Sequence, residues 1–210
     1  MSTTLRAATL PVSFFGRPAA EVARDLLGAL VISSVGRRPS AGRIVETEAY
    51  LGAEDPASHG YRLRRNERNA ALFGPPGSWY VYRSYGLHWC ANLVCGPAEN
   101  GGAVLLRALE PVRGLEAMRS RRGGVDDRHL CSGPGKLCQA LRITRELDGQ
   151  SMARSPVVVA PGLAEGVSVL VTARVGITKA AEWPLRFLVA GSPYVSRGPV
   201  ARRETGSESS

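Results

Sequence analysis

The run Arg43-Ile44-Val45-Glu46-Thr47-Glu48-Ala49-Tyr50 has the composition of a strand. Side chains alternate across a strand, so Ile44, Glu46, Glu48 and Tyr50 share one face and Val45, Thr47 and Ala49 the other. The second face reads as core. The first sets two carboxylates beside an aromatic ring, the material of acid–base chemistry. The plainer alternative is a solvated face with ordinary surface glutamates. Against it, the chain adds Glu54, Asp55 and His59 within a few residues, just before a basic stretch. The pattern hints at an active site.

Aromatic residues make up only 6% of the chain, yet Trp79, Tyr80, Tyr82, Tyr85 and Trp89 crowd into one short segment. Tyr80 and Tyr82 share a strand face, where rings can sandwich a base, and Tyr85-Gly86 reads as a turn tip, where a ring can wedge into a base stack. Trp79 and Trp89 are expected in the core. The four cysteines, Cys90, Cys95, Cys131 and Cys138, lack CxxC spacing, and the histidines are not placed around them as zinc ligands. They read as small buried apolar residues. Ser132-Gly133-Pro134-Gly135-Lys136 is a turn suited to phosphate but lacks P-loop spacing. No metal site and no cofactor are expected.

These groups need elements to hold them. Helical spacing with Pro18 and Gly28 as punctuation predicts a helix over 19–28, then a strand over Ala29–Val35. Gly52–Asn69 reads as a long polar loop with a short helix, long enough to be functional. Strands are expected at Trp79–Arg83, Trp89–Cys95 and Ala103–Leu109, with Glu110-Pro111 opening a helix that carries Val112, Leu115 and Met118. Arg119–Arg128 reads as a charged loop, Lys136–Leu141 as a helix, and Val157–Ala160, Val167–Ala173 and Leu185–Ala190 as strands. Strands and helices without strict alternation argue an α+β domain. It is expected over 1–198, with 199–210 a disordered tail.

The 210 residues, 44% hydrophobic, can bury one full core. No apolar run approaches the length of a membrane span, and the N-terminus lacks signal-peptide character, so a cytoplasmic protein is expected. Lys+Arg is 27 against Asp+Glu 18, a net charge of +9, and Lys136 and Lys179 are the only lysines. Codon bias explains arginine over lysine but not base over acid, and the excess favours nucleic acid as partner.

The runs RIVETEAYLG, DPASH, YVYRSYG, LLRALEP, LCSGPGKLCQAL and PLRFLVAGSPYVS, in order from about Ala19 to Ser196, resemble the alkyladenine (3-methyladenine) DNA glycosylase family of the mammalian type. The resemblance implies a curved, mostly antiparallel sheet with surrounding helices. It implies a monomeric repair enzyme that acts on double-stranded DNA, flips out a damaged purine and hydrolyses its N-glycosidic bond. Its substrates would be 3-methyladenine and 7-methylguanine, with ethenoadenine and hypoxanthine as further candidates. By motif position, Glu48 matches the base that activates water and Glu46 its non-catalytic neighbour. Arg107 and the Val175 carbonyl match the groups that hold this water, although a structural ion pair also suits Arg107. Tyr50, His59 and Tyr82 match the pocket walls, and Asn92 the group that crowds the 2-amino group of guanine. Tyr85 matches the finger that fills the gap in the duplex, and Leu87, His88 and Lys136 match the DNA-contact surface.

His88 stands where mammalian relatives carry an aromatic, and the Val175–Pro184 segment and N-terminal arm are short, so alkylated purines are expected ahead of hypoxanthine. With two lysines and Ser at position 2, no amine suggests a Schiff base, and an enzyme without strand-cleaving activity is expected. Two other readings are a damage-binding module without catalysis and a formyl-transfer accessory domain of similar fold. The ordered motifs speak against both; a carboxylate placed in a groove for phosphate speaks against the first, and the second rests on likeness of fold alone.

Overall fold

A computed structural model of the chain describes residues 9–162 and 166–198. Two short helices, α1 (Val12–Phe15) and α2 (Ala19–Asp25), lead into strand β1 (Leu30–Ser33) and the long β2 (Ser40–Tyr50). A loop with three 3₁₀ turns, Gly52–Glu54, Tyr61–Leu63 and Ala70–Phe73, connects to β3 (Trp79–Ser84), β4 (His88–Cys95) and β5 (Gly102–Arg113). Helices α3 (Leu115–Arg121), α4 (Asp127–Leu130) and α5 (Pro134–Leu141) follow, then β6 (Val157–Ala160), β7 (Val169–Thr172) and β8 (Arg186–Val189). The fold is α+β: one curled sheet in the order β3-β4-β5-β2-β1-β6, with β8 paired to β2 and β7 to β8. Every described pairing is antiparallel. Residues 1–8 and the expected tail from 199 onward lie outside the described residues.

Alternation gives the sheet two distinct faces. Trp79 and Val81, Ala91, Leu93 and Cys95, and Val104 and Leu106 point to the main core with Phe15, Val22, Leu26, Leu137 and Leu141 from the helices. The opposite face carries Tyr80, Val94 and Ala103, capped by Leu72 and Phe73. All four cysteines are free and buried, as expected.

The centre of the sheet breaks strict alternation. The β2–β5 register shifts between Ile44 and Glu46, with Val45 the extra residue, and again between Glu46 and Thr47, where Arg107 is extra on β5. Each bulge turns a side chain to the other face. Ile44 therefore joins Ala49 in the main core, not the carboxylate face predicted for it. Val45 lies outside that cluster. β2 also changes partner here, from β1 along Ser40–Arg43 to β8 along Glu46–Glu48.

The helix predicted to open at Glu110 starts later. β5 runs on to Arg113, because Glu110 and Pro111 pair with Arg43 and Gly42, and α3 begins only after Gly114 at φ 74°. Leu115 and Met118 lie on that helix as predicted, but Val112 is an exposed strand residue. Arg119–Arg128 is likewise not a single loop, since α3 extends to Arg121 and α4 starts at Asp127.

Candidate active site

Glu46 and Glu48 are both fully buried. Two carboxyl groups inside a sheet call for a cation, and Arg107 reaches both: its Nε lies 2.8 Å from Glu46 Oε1 and its Nη1 3.2 Å from Glu48 Oε2. The bulge that makes Arg107 the extra residue sets it opposite the two glutamates. Glu46 is further held by Arg186 Nε at 2.8 Å and by the Ser196 hydroxyl and N–H at 2.8 and 2.5 Å. With this set it is a structural anchor.

Glu48 is held differently. Its Oε1 accepts the Val175 N–H at 2.7 Å, and its Oε2 accepts the Tyr50 hydroxyl at 3.0 Å as well as Arg107. Burial pushes its carboxyl above the ordinary glutamate range. Arg107, the Val175 N–H and the Tyr50 hydroxyl oppose that rise without cancelling it. Arg107 thus favours the ionised form, but the net displacement is upward.

Tyr50, Arg107 and Val175 line a cleft of about 950 Å³, and Glu48 sits directly behind them. The walls of the cleft are aromatic. Tyr80 and Tyr82 stack at 5.4 Å between centroids, and the His59 ring meets Tyr82 edge-on at 4.6 Å. His59 Nδ1 lies 2.8 Å from the Tyr80 hydroxyl, and burial lowers the imidazole pKa, keeping it neutral at neutral pH. Asn92, across the β3–β4 pair from Tyr80, donates from Nδ2 to the Tyr80 carbonyl at 3.0 Å and also lines the cleft. Trp79 is core as expected, whereas Trp89 packs at the core's edge and lines the cleft.

At the mouth, the β3–β4 hairpin turns through Tyr85 at φ 50° and Gly86 at φ 69°, closed by the Leu87 N–H on the Ser84 carbonyl at 3.0 Å. Positive φ at both central residues is the hairpin geometry that matches strand twist, and a tyrosine adopts it at a cost. The turn holds Tyr85 91% exposed and Leu87 70% exposed. His88 is exposed beside them and packs on the start of α5, where a Cβ on Gly135 would stand 2.8 Å from the His88 Cβ. Lys136, in the first turn of α5, donates to Ser132 Oγ at 3.2 Å. Leu87, His88 and Lys136 lie outside the cleft lining, while Tyr85 and Pro134 belong to it. Arg68, Arg83 and Arg145 edge the cleft, all exposed.

Sequence reasoning missed Arg174, Arg186 and Ser196 as members of the site. Arg186 and Ser196 sit inside quoted motifs without a role, and the signal that could have found them is that two inward glutamates require more than one cation. Among the described residues no three His, Cys, Asp or Glu side chains gather as a metal site.

A family model described as methylpurine-DNA glycosylase (MPG) matches residues 13–193. A protein of Nitrosospira multiformis named "Putative 3-methyladenine DNA glycosylase" is 50% identical over 87% of this chain and 91% of its own length. Proteins of the same name from Methanoculleus marisnigri and Granulibacter bethesdensis are each 52% identical, over 90% and 92% of this chain and 99% and 90% of theirs.

Proposed function

Because the chain belongs to the methylpurine-DNA glycosylase family, DNA-repair enzymes that act on N-glycosyl bonds, we propose that it excises alkylated purines with Glu48 as the base that activates water. The observation that carries this reading is the buried Glu48 carboxylate directly behind the lining of an aromatic cleft, held by the lining residues Arg107, Tyr50 and the Val175 N–H.

Double-stranded DNA docks on the arginine-edged mouth, where guanidinium groups meet phosphates. Tyr85, held out by its turn, fills the gap left by the flipped nucleotide. The extruded purine stacks between Tyr50, Tyr82 and His59. A 3-methyladenine or 7-methylguanine base is cationic, and aromatic faces favour it by about 0.5–2 kcal/mol. Neutral His59 adds no opposing charge. Asn92 stands where the 2-amino group of guanine would crowd it, which protects the abundant normal base.

The cationic base is already a good leaving group. Catalysis then needs a carboxylate that takes a proton from water and stabilises positive charge developing at C1′. The raised pKa makes Glu48 a stronger base than a surface glutamate. Arg107 and Val175 fix its orientation, and the Val175 carbonyl is assigned to holding the water. The proposal includes a monomer at work in the cytoplasm, with ethenoadenine and hypoxanthine as poorer substrates. Among the described residues, no helix is long and apolar enough to cross a membrane.

The test is single-turnover excision in EDTA on duplexes carrying ethenoadenine, hypoxanthine or 3-methyladenine, with wild type and Glu48→Gln side by side. Wild type is expected to leave abasic sites, while Glu48→Gln binds the lesions and releases no base. Turnover by Glu48→Gln would remove its assignment as base. Binding without excision by wild type on all three duplexes would favour a damage-binding protein.

A further inference from the structure

We infer that Arg174 is a positioning residue for excision, holding through a buried clamp with Asp55 both the Tyr50 ring and the Val175 amide that grip Glu48. The inference rests on the reading of Glu48 as the base.

Arg174 lies two residues beyond β7, and its side chain and that of Asp55 are both wholly buried. Its Nη1 and Nη2 meet the two Asp55 oxygens at 2.5 and 2.9 Å, the two-pronged geometry that fixes orientation as well as distance. Nη1 also donates to the Ala49 carbonyl at 3.0 Å, on the strand between Glu48 and Tyr50. The guanidinium carbon stands 4.7 Å from the centroid of the Tyr50 ring. Asp55 in turn accepts the N–H groups of Leu51 and Ala57. One cation therefore ties together the end of β2, the loop that leads to His59, and the segment that carries Val175. Arg174 does not line the cleft.

A buried ion pair generally gains nothing over well-packed hydrophobic residues, and here Arg174 Nε is buried with no hydrogen-bond partner among the described residues. What the pair supplies is geometry. The charged and titratable groups around Glu48 are Glu46 and Tyr50 from β2, Arg107 from β5, Cys90 from β4 and Arg186 opposite it on β8. Of the three donors to Glu48, two are attached to Arg174, Val175 as its chain neighbour and Tyr50 by stacking. Both favour the ionised carboxylate, so loosening the clamp moves the Glu48 carboxyl further up.

The experiment measures single-turnover release of 7-methylguanine from methylated duplex DNA, from acid to neutral pH. Wild type, Arg174→Lys, Tyr50→Phe, the double variant and Glu48→Gln are compared, with thermal melts for folding. Arg174→Lys is expected to fold, to lose roughly 10- to 100-fold in rate and to shift the acid limb to higher pH, in the same sense as Tyr50→Phe. The double variant should lose less than the product of the two single losses, because both act through Glu48. A wild-type rate and limb, or a slower rate with an unmoved limb, would overturn the inference. If Arg174→Lys does not fold, Asp55→Asn/Arg174→Met is read by the same two criteria, and failure of both to fold assigns the pair to stability alone. Turnover by Glu48→Gln would instead overturn the base assignment, whatever Arg174→Lys does.

Discussion

In the proposed reaction Glu48 acts as a base only when ionised, so its pKa sets where excision should fail on the acid side. Burial places that pKa above the ordinary glutamate range, and the rate should fall as pH drops through a midpoint above it. Tyr50→Phe removes a hydroxyl that donates to the ionised form but keeps the ring for stacking. Without that donor the acid limb of single-turnover excision should move to still higher pH, and a limb that stays put would show that the hydroxyl does not tune Glu48. The strand pattern around Glu46, Glu48 and Tyr50 already exposes this chemistry in the sequence. The contacts that complete it are not legible in that pattern, because Arg186, Ser196 and Val175 come from segments more than a hundred residues away, brought in by the pairing of β8 with β2 and the turn beyond β7; the family resemblance gives a role to Val175 but to neither Arg186 nor Ser196. No local spacing encodes such a meeting.

Strand periodicity locates most elements. β6 has its predicted limits, and β3 and β4 each differ by one residue. What periodicity cannot see is a bulge, since the sequence carries no mark of the extra residue at Val45 or Arg107. Alternation alone therefore puts Ile44 on the wrong face, and it ends β5 too early, because Pro111 reads as a helix opener when its partner strand is unknown. The β3–β4 hairpin gives up stability at its tip, as the proposed finger role of Tyr85 requires. Tyr85 at φ 50° holds a left-handed conformation that costs a non-glycine residue about 1–2 kcal/mol, and its ring finds little packing in return. Glycine adopts this conformation freely but loses more entropy on folding, which returns about 0.5–1 kcal/mol of the gain. Tyr85→Gly should therefore leave the melting temperature unchanged or raise it by a few degrees, while weakening lesion binding and excision. A variant that is destabilised, or one that keeps full activity, would contradict the finger role.

At the scale of the whole molecule, the +9 charge is carried almost entirely by arginine. Arginine pairs with phosphates through a planar fork and stays protonated, so it offers no free amine to attack a sugar. Enzymes that cleave the strand after losing the base need such an amine to form a Schiff base at C1′. The two lysines are poorly placed for it. Lys136 is engaged with Ser132 and Lys179 is exposed, and neither lines the cleft. In the proposed reaction the basic surface binds DNA without supplying a second chemistry, and the product should be an intact strand with an abasic site. Borohydride added during turnover on a 3-methyladenine duplex reduces any Schiff base to a stable protein–DNA link. No such adduct should form, while alkali treatment of product made without borohydride should cut the strand at the abasic site. A trapped adduct lost on Lys136→Met or Lys179→Met would identify an amine that reaches C1′ and would make the enzyme bifunctional.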